Sequence, residues 1–136
     1  MNSFKIQSTM EEYQKAIEFI EDHLVATNMN QQNRLKVLIA CEELIVNIIN
    51  YAYEKGNGDL EIEFEEKEDW VKITICDNGK AFNPLQKADA EVETSIEERE
   101  VGGLGILMLK KLIDQIEYSY QDGQNRITMM KQKATV

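Results

Sequence analysis

The sequence predicts an α+β domain: two layers, with a mixed, mostly antiparallel sheet that carries its helices on one face. Three observations predict it. Segments with the two-residue rhythm of strands come in pairs joined by short turns, near 60–76 and again near 115–132. Segments with helical rhythm stand before and between those pairs. Strands and helices do not alternate one for one, as parallel βαβ units would require. A chain of 136 residues suits one domain with one core, so residues 1–136 are read as a single unit.

Each element has its own local reason. Residues 3–7 alternate and predict a short edge strand. Ser8 followed by Glu11 fits a capping box, so the first helix is expected to start there. Its apolar stripe is Tyr13, Ile17, Ile20 and Leu24. A second helix is expected over about 31–53, with Leu38, Cys41, Ile45, Ile48 and Ala52 on one face. Gly56-Asn57-Gly58 reads as a turn. Leu60, Ile62 and Phe64 alternate with acidic residues as a half-exposed strand, and Val71, Ile73 and Ile75 form its partner across Lys67-Glu68-Asp69. Residues 80–101 are polar and weakly periodic, a loop long enough to suggest a functional role. A third helix is expected from Leu104 to Asp114. Strands near 115–121 and 125–132, joined by Asp122-Gly123, complete the set.

Composition excludes several classes. The net charge of −10 repels nucleic acid, so a direct DNA or RNA function is not expected. No apolar run approaches the roughly 20 residues that span a bilayer, and the N-terminus lacks an export signal. A cytoplasmic location and no membrane partner are therefore expected. Cys41 and Cys76 sit in apolar runs and read as core residues, and a single histidine makes a zinc site improbable.

Three segments carry chemistry. Glu43, Asn47, Asn50 and Glu54 share one face of the second helix, at i, i+4, i+7 and i+11. The plain alternative is an amphipathic helix whose polar side meets water. Asp77-Asn78-Gly79-Lys80-Ala81-Phe82-Asn83-Pro84 leaves the end of an apolar strand. An aspartate there can accept from an exocyclic amine deep in a pocket, and Gly79 lets the backbone approach a flat ligand. The alternative is a simple Asp-Asn-Gly turn. Gly102-Gly103-Leu104-Gly105 runs into a helix, where backbone N–H groups and the helix dipole favour an anion. It matches neither a Walker loop nor a dinucleotide fingerprint.

In this order and at this spacing, the three segments resemble the N, G1 and G2 boxes of the GHKL ATPases. The correspondence is ExxxN at Glu43 to Asn47, DxGxxFxP at Asp77 to Pro84, and GGLG at Gly102 to Gly105. The resemblance covers about residues 31 to 133. Its best fit is to the small bacterial anti-sigma factor serine/threonine kinases, stand-alone domains of about this length.

The resemblance implies a Bergerat-type two-layer α/β sandwich that binds ATP with Mg²⁺. Asp77 would bind the adenine amino group, with Gly79 supporting the turn and Phe82 part of the same box. Asn47 would ligate Mg²⁺, and Asn50 would be a second polar contact. Gly102, Gly103, Leu104 and Gly105 would present the phosphate-binding backbone. Glu43 would be the catalytic general base; adjacent Glu42 points about 100° away around the helix. The family phosphorylates a STAS-type anti-anti-sigma partner and sequesters a sigma factor, and many members are homodimers. Two features depart from the pattern. Val101 stands where many members have arginine before the glycines, with Arg99 two residues earlier. The segment Gln86 to Glu100 is strongly acidic. Two other functions compete: a binding-only module that holds ATP and moves no phosphate, and a detached sensor histidine kinase domain with His23 as phosphoacceptor.

Overall fold

The computed structural model describes residues 2–53, 57–83, 85 and 109–134. Among these the elements are β1 (Asn2–Gln7), α1 (Met10–Ala26), α2 (Gln31–Tyr51), β2 (Asp59–Glu66), β3 (Trp70–Asp77), β4 (Gln115–Gln121) and β5 (Gln124–Gln132). Residues 109–112 are also helical. The five strands form one open sheet in the order β1-β2-β3-β5-β4, and every pairing in it is antiparallel. The α+β class expected from the sequence is the one observed, with β1 at an edge as expected.

The register explains the two faces. Ile62, Ile75 and Ile127 line up across β2, β3 and β5, and so do Phe64, Ile73 and Met129. Because side chains alternate along a strand, both rows point to the same face. All six are buried, against Ile17, Ile20 and Leu24 of α1 and Cys41, Leu44, Ile45 and Ile48 of α2 in one core. The other face is polar: Arg126 pairs with Glu63 at 2.9 Å across the sheet, and the Thr74 and Thr128 hydroxyls meet.

Local details refine the expectations. The N-cap of α1 is Thr9, whose Oγ1 accepts from the Glu12 amide. The Ser8–Glu11 box is thus displaced by one residue. Ser8 is buried instead, and its Oγ accepts from the Gly58 amide, which binds the end of β1 to the turn before β2. Asn30 caps α2 by accepting from the Asn33 amide. That helix closes at Tyr51, two residues early, with Ala52 as its C-cap. Leu38 is only half-buried. The helix expected to reach Asp114 stops at 112. Asp122 (φ 54°) and Gly123 (φ 75°) both take left-handed backbone, the conformation a two-residue hairpin between twisted strands requires.

Candidate functional site

Parity along β3 builds the site. Val71, Ile73 and Ile75 face the helices, so Asp77, two residues on, faces them too. It pairs in register with Asn125 of β5. Both side chains are buried at the end of the sheet where α2 also ends. There the core opens into a small pocket. Leu44, Asn47, Ile48, Tyr51 and Ala52 of the helix region line one side, and Asp77, Tyr118, Asn125 and Ile127 of the sheet line the other. Lys80 and Phe82 of the following loop complete it.

Asp77 is the pocket's acceptor. Its Oδ1 accepts from the Gly79 amide at 2.8 Å and from Asn125 Nδ2 at 3.0 Å. Neither bond uses Oδ2. Burial pushes the carboxyl pKa above the ordinary aspartate value, and the bonds from Asn125 and Gly79 oppose that rise. An acceptor among apolar walls suits a flat ligand that offers an N–H donor, because the ligand bond replaces water the carboxylate has lost.

The loop after Asp77 is clamped onto the end of α2. The Lys80 amide donates to the Ala52 carbonyl at 3.2 Å. A Cβ on Gly79 would lie 2.2 Å from that same oxygen. Gly79 is therefore required by close backbone approach. Tyr53 adds a second tie: its hydroxyl donates to the Asp59 carbonyl at 2.6 Å and accepts from the Asn78 amide at 2.8 Å. The end of the helix that carries Glu43 and Asn47 is thus fixed against the loop that follows Asp77.

Asn47 is 6% exposed and lines the pocket, so it does not belong to a solvated polar stripe. Glu43 lies one turn earlier on the same face, half-buried and outside the pocket lining. Burial, and secondly the charge of Glu42, push its carboxyl above the ordinary glutamate range. Asn50 is exposed and does not line the pocket. Gly102, Gly103, Leu104 and Gly105, with Val101 and the acidic segment before it, lie outside the described residues, as does Glu54. Cys41 and Cys76 are buried free thiols, and burial raises Cys76 to about 11. His23 is held between Phe19 and Phe64, and its Nδ1 donates to the Phe19 carbonyl.

Sequence reading missed Asn125 and Tyr118. Parity held the signal: Ile127 and Met129 face inward, so the asparagine two residues earlier does as well.

Comparison with known proteins places this geometry in a family. The profile of the histidine kinase-like ATPase domain matches residues 6–131. The serine/threonine-protein kinase BtrW of Bordetella bronchiseptica is 22% identical over 120 residues, covering 88% of this chain and 84% of that protein. The serine-protein kinase RsbW of Oceanobacillus iheyensis is 32% identical over 91 residues, covering 62% of this chain and 57% of that protein. The chain thus spans little more than half of the RsbW relatives it matches. Among solved structures, the RsbU and RsbW domains of a Mycobacterium tuberculosis protein align with a TM-score of 0.67 at 10% identity, over 100% of this chain and 34% of that one. The mycobacterial sensor histidine kinase MprB aligns at 0.56 and 11% identity, over 99% of this chain and 100% of that one. Those two likenesses are likenesses of fold. The chain belongs to the histidine kinase-like ATPase domain family.

Proposed function

We propose that this chain binds Mg-ATP and acts as a protein serine/threonine kinase in an anti-sigma switch. The observation that carries the reading is the buried Asp77 carboxylate, set in an apolar pocket whose wall is the helix bearing Glu43 and Asn47. Relatives named as serine and serine/threonine kinases support it.

The residues divide the work. Asp77 accepts from the adenine amine, with Gly79 beneath and Phe82 at the rim. The Asn47 amide oxygen is the protein's ligand for Mg²⁺. That fits a cation that takes few protein ligands beside phosphate oxygens and water. Among the described residues no cluster of three or more His, Cys, Asp or Glu could hold a metal unaided. When bound, Mg²⁺ supplies neutralisation of phosphate charge. The backbone of Gly102, Gly103, Leu104 and Gly105 holds the phosphates. Glu43 orients the partner's serine or threonine hydroxyl and takes its proton. The hydroxyl oxygen then bonds to the γ-phosphorus, the bond to the β–γ bridging oxygen breaks, and ADP leaves. In this reading the partner is a STAS-type anti-anti-sigma protein, and the unphosphorylated state of that partner controls release of a sigma factor. A homodimer, a cytoplasmic location and no contact with nucleic acid or membrane complete it; no described helix is long and apolar enough to cross a membrane.

Incubation with γ-labelled ATP and a STAS protein recovered by pull-down, followed by phosphosite mapping, tests the proposal. Label on one serine or threonine supports it. ATP binding with no label on any recovered partner supports the binding-only module instead. Label on His23 would favour the sensor-kinase alternative, against which its packing between two phenylalanine rings stands.

A further inference from the structure

Asn125 uses its whole amide on this site. Its Nδ2 donates to Asp77 Oδ1 at 3.0 Å and to the Lys80 carbonyl at 2.9 Å, with the Gly79 carbonyl at 3.4 Å. Its Oδ1 accepts from the Phe82 amide at 3.1 Å and from the Tyr118 hydroxyl. The partners fix which end is which: Lys80 offers only a carbonyl there, and Phe82 only an N–H. At 5% exposure, these bonds are shielded from bulk water. One side chain therefore joins β5, β4, the carboxylate and three residues of the loop.

We propose that Asn125 is the positioning residue for base selectivity, holding Asp77 as a pure acceptor whose second oxygen serves a 6-amino purine. The inference rests on the nucleotide-site reading above. The Asp77 Oδ1 receives two N–H groups, from Gly79 and Asn125, and needs no proton of its own. The carboxylate plane is then set by two fixed donors, which aims Oδ2. An amine at the purine 6-position meets an acceptor, whereas a 6-carbonyl meets like charge. Asn125→Asp would put an acceptor where Asp77 and the Lys80 carbonyl each need a donor. Asn125→Leu would keep the volume and remove every bond.

Calorimetric titration with Mg-ATP and with Mg-ITP reads this directly. The two ligands share sugar and phosphates, so a general loosening of the fold weakens both alike. Partial unfolding lowers the stoichiometry and leaves the affinity ratio intact. The wild-type protein is expected to prefer ATP. In Asn125→Leu and Asn125→Asp the preference falls by about tenfold or more, the worth of one bond to a charged group, with ITP affinity changing far less. If both variants keep the wild-type ratio, Asn125 does not set selectivity. If neither folds, Tyr118→Phe removes one bond that orients the amide, and the ratio should fall by about threefold; an unchanged ratio overturns the inference. A wild-type protein that binds ATP no better than ITP overturns the base reading itself, and this inference with it.

Discussion

The carbonyl oxygen of Ala52 occupies the space a side chain on Gly79 would need, 2.2 Å from the position of its Cβ. The last residue of the helix region and the turn after Asp77 are in backbone contact, sealed by the Lys80 amide. The pocket exists because these two pieces meet. Gly79→Ala must push them apart. The expected cost is about 1–3 kcal/mol of overpacking, seen as a melting temperature lower by several degrees. ATP affinity should fall with it. A variant with wild-type melting and wild-type affinity would show that the contact is dispensable.

Asp77 carries a sign that can be checked. Its pKa is raised by burial. A carboxyl whose folded pKa exceeds its unfolded value binds protons more tightly when folded, so it lowers stability as pH rises through that window. Asp77→Asn keeps an oxygen for the Gly79 and Asn125 donors and removes the charge. The variant should melt at or above the wild-type temperature at pH 7. The advantage should vanish below the usual aspartate range, where both side chains are neutral. A variant that melts lower than the wild type at pH 7 would contradict the burial argument.

Glu43 is expected to limit transfer on the acid side. Its carboxyl is raised first by burial and then by Glu42. A base must be ionised to accept a proton, so the rate should fall as pH drops through that raised value. Glu42→Gln removes the like charge and should move the acid limb to lower pH. Glu43→Gln should keep ATP binding and lose transfer by about 100-fold or more. Pre-steady-state transfer rates across pH check all three statements. An Asn47→Ala comparison isolates the cation: its ATP affinity should be nearly insensitive to chelation of Mg²⁺, while that of the wild type drops.

Lys131 offers a stability test away from the pocket. Its stem lies on the helix-facing side of β5, and its Nζ donates to the Leu112 carbonyl at 2.7 Å, with Asp114 Oδ1 at 3.3 Å. It thereby satisfies the end of the helix at 109–112. Lys131→Met keeps the bulk and loses the donor. The expected loss is about 1–2 kcal/mol, or a melting temperature about 3–10 °C lower. Equal melting would mean that the buried charge costs as much to desolvate as its bonds return.

Much of this was legible in the sequence for physical reasons. Strand parity at Ile62, Ile73 and Ile75 and the Asp122-Gly123 turn follow from local geometry, and both were readable. The capping box was off by one because Ser8 and Thr9 are equally good caps locally; the choice falls to Gly58, fifty residues away, whose amide takes the Ser8 hydroxyl. Asp77 was readable as a polar residue at the inward end of an apolar strand, whereas Asn47 was readable only as part of a polar helix face, and its burial comes from the packing of α2 on the sheet. Parity with Ile127 and Met129 places Asn125 inward, but that it meets Asp77 depends on β5 lying beside β3, a long-range pairing that spacing along the chain does not encode. Asn50 shows the reverse: helical spacing put it near Asn47, but the helix turns it outward to solvent.

In the proposed function, Asp77 recognises a nucleotide base in the pocket between α2 and the sheet. Titration of Mg-ATP into the wild-type protein and into Asp77→Asn, at pH 7 and matched concentration, tests it most directly. Saturable one-site binding to the wild type is expected, with at least about tenfold weaker binding to a variant that is folded and no less stable. Equal affinity in the two proteins, or no saturable binding to the wild type, would contradict it.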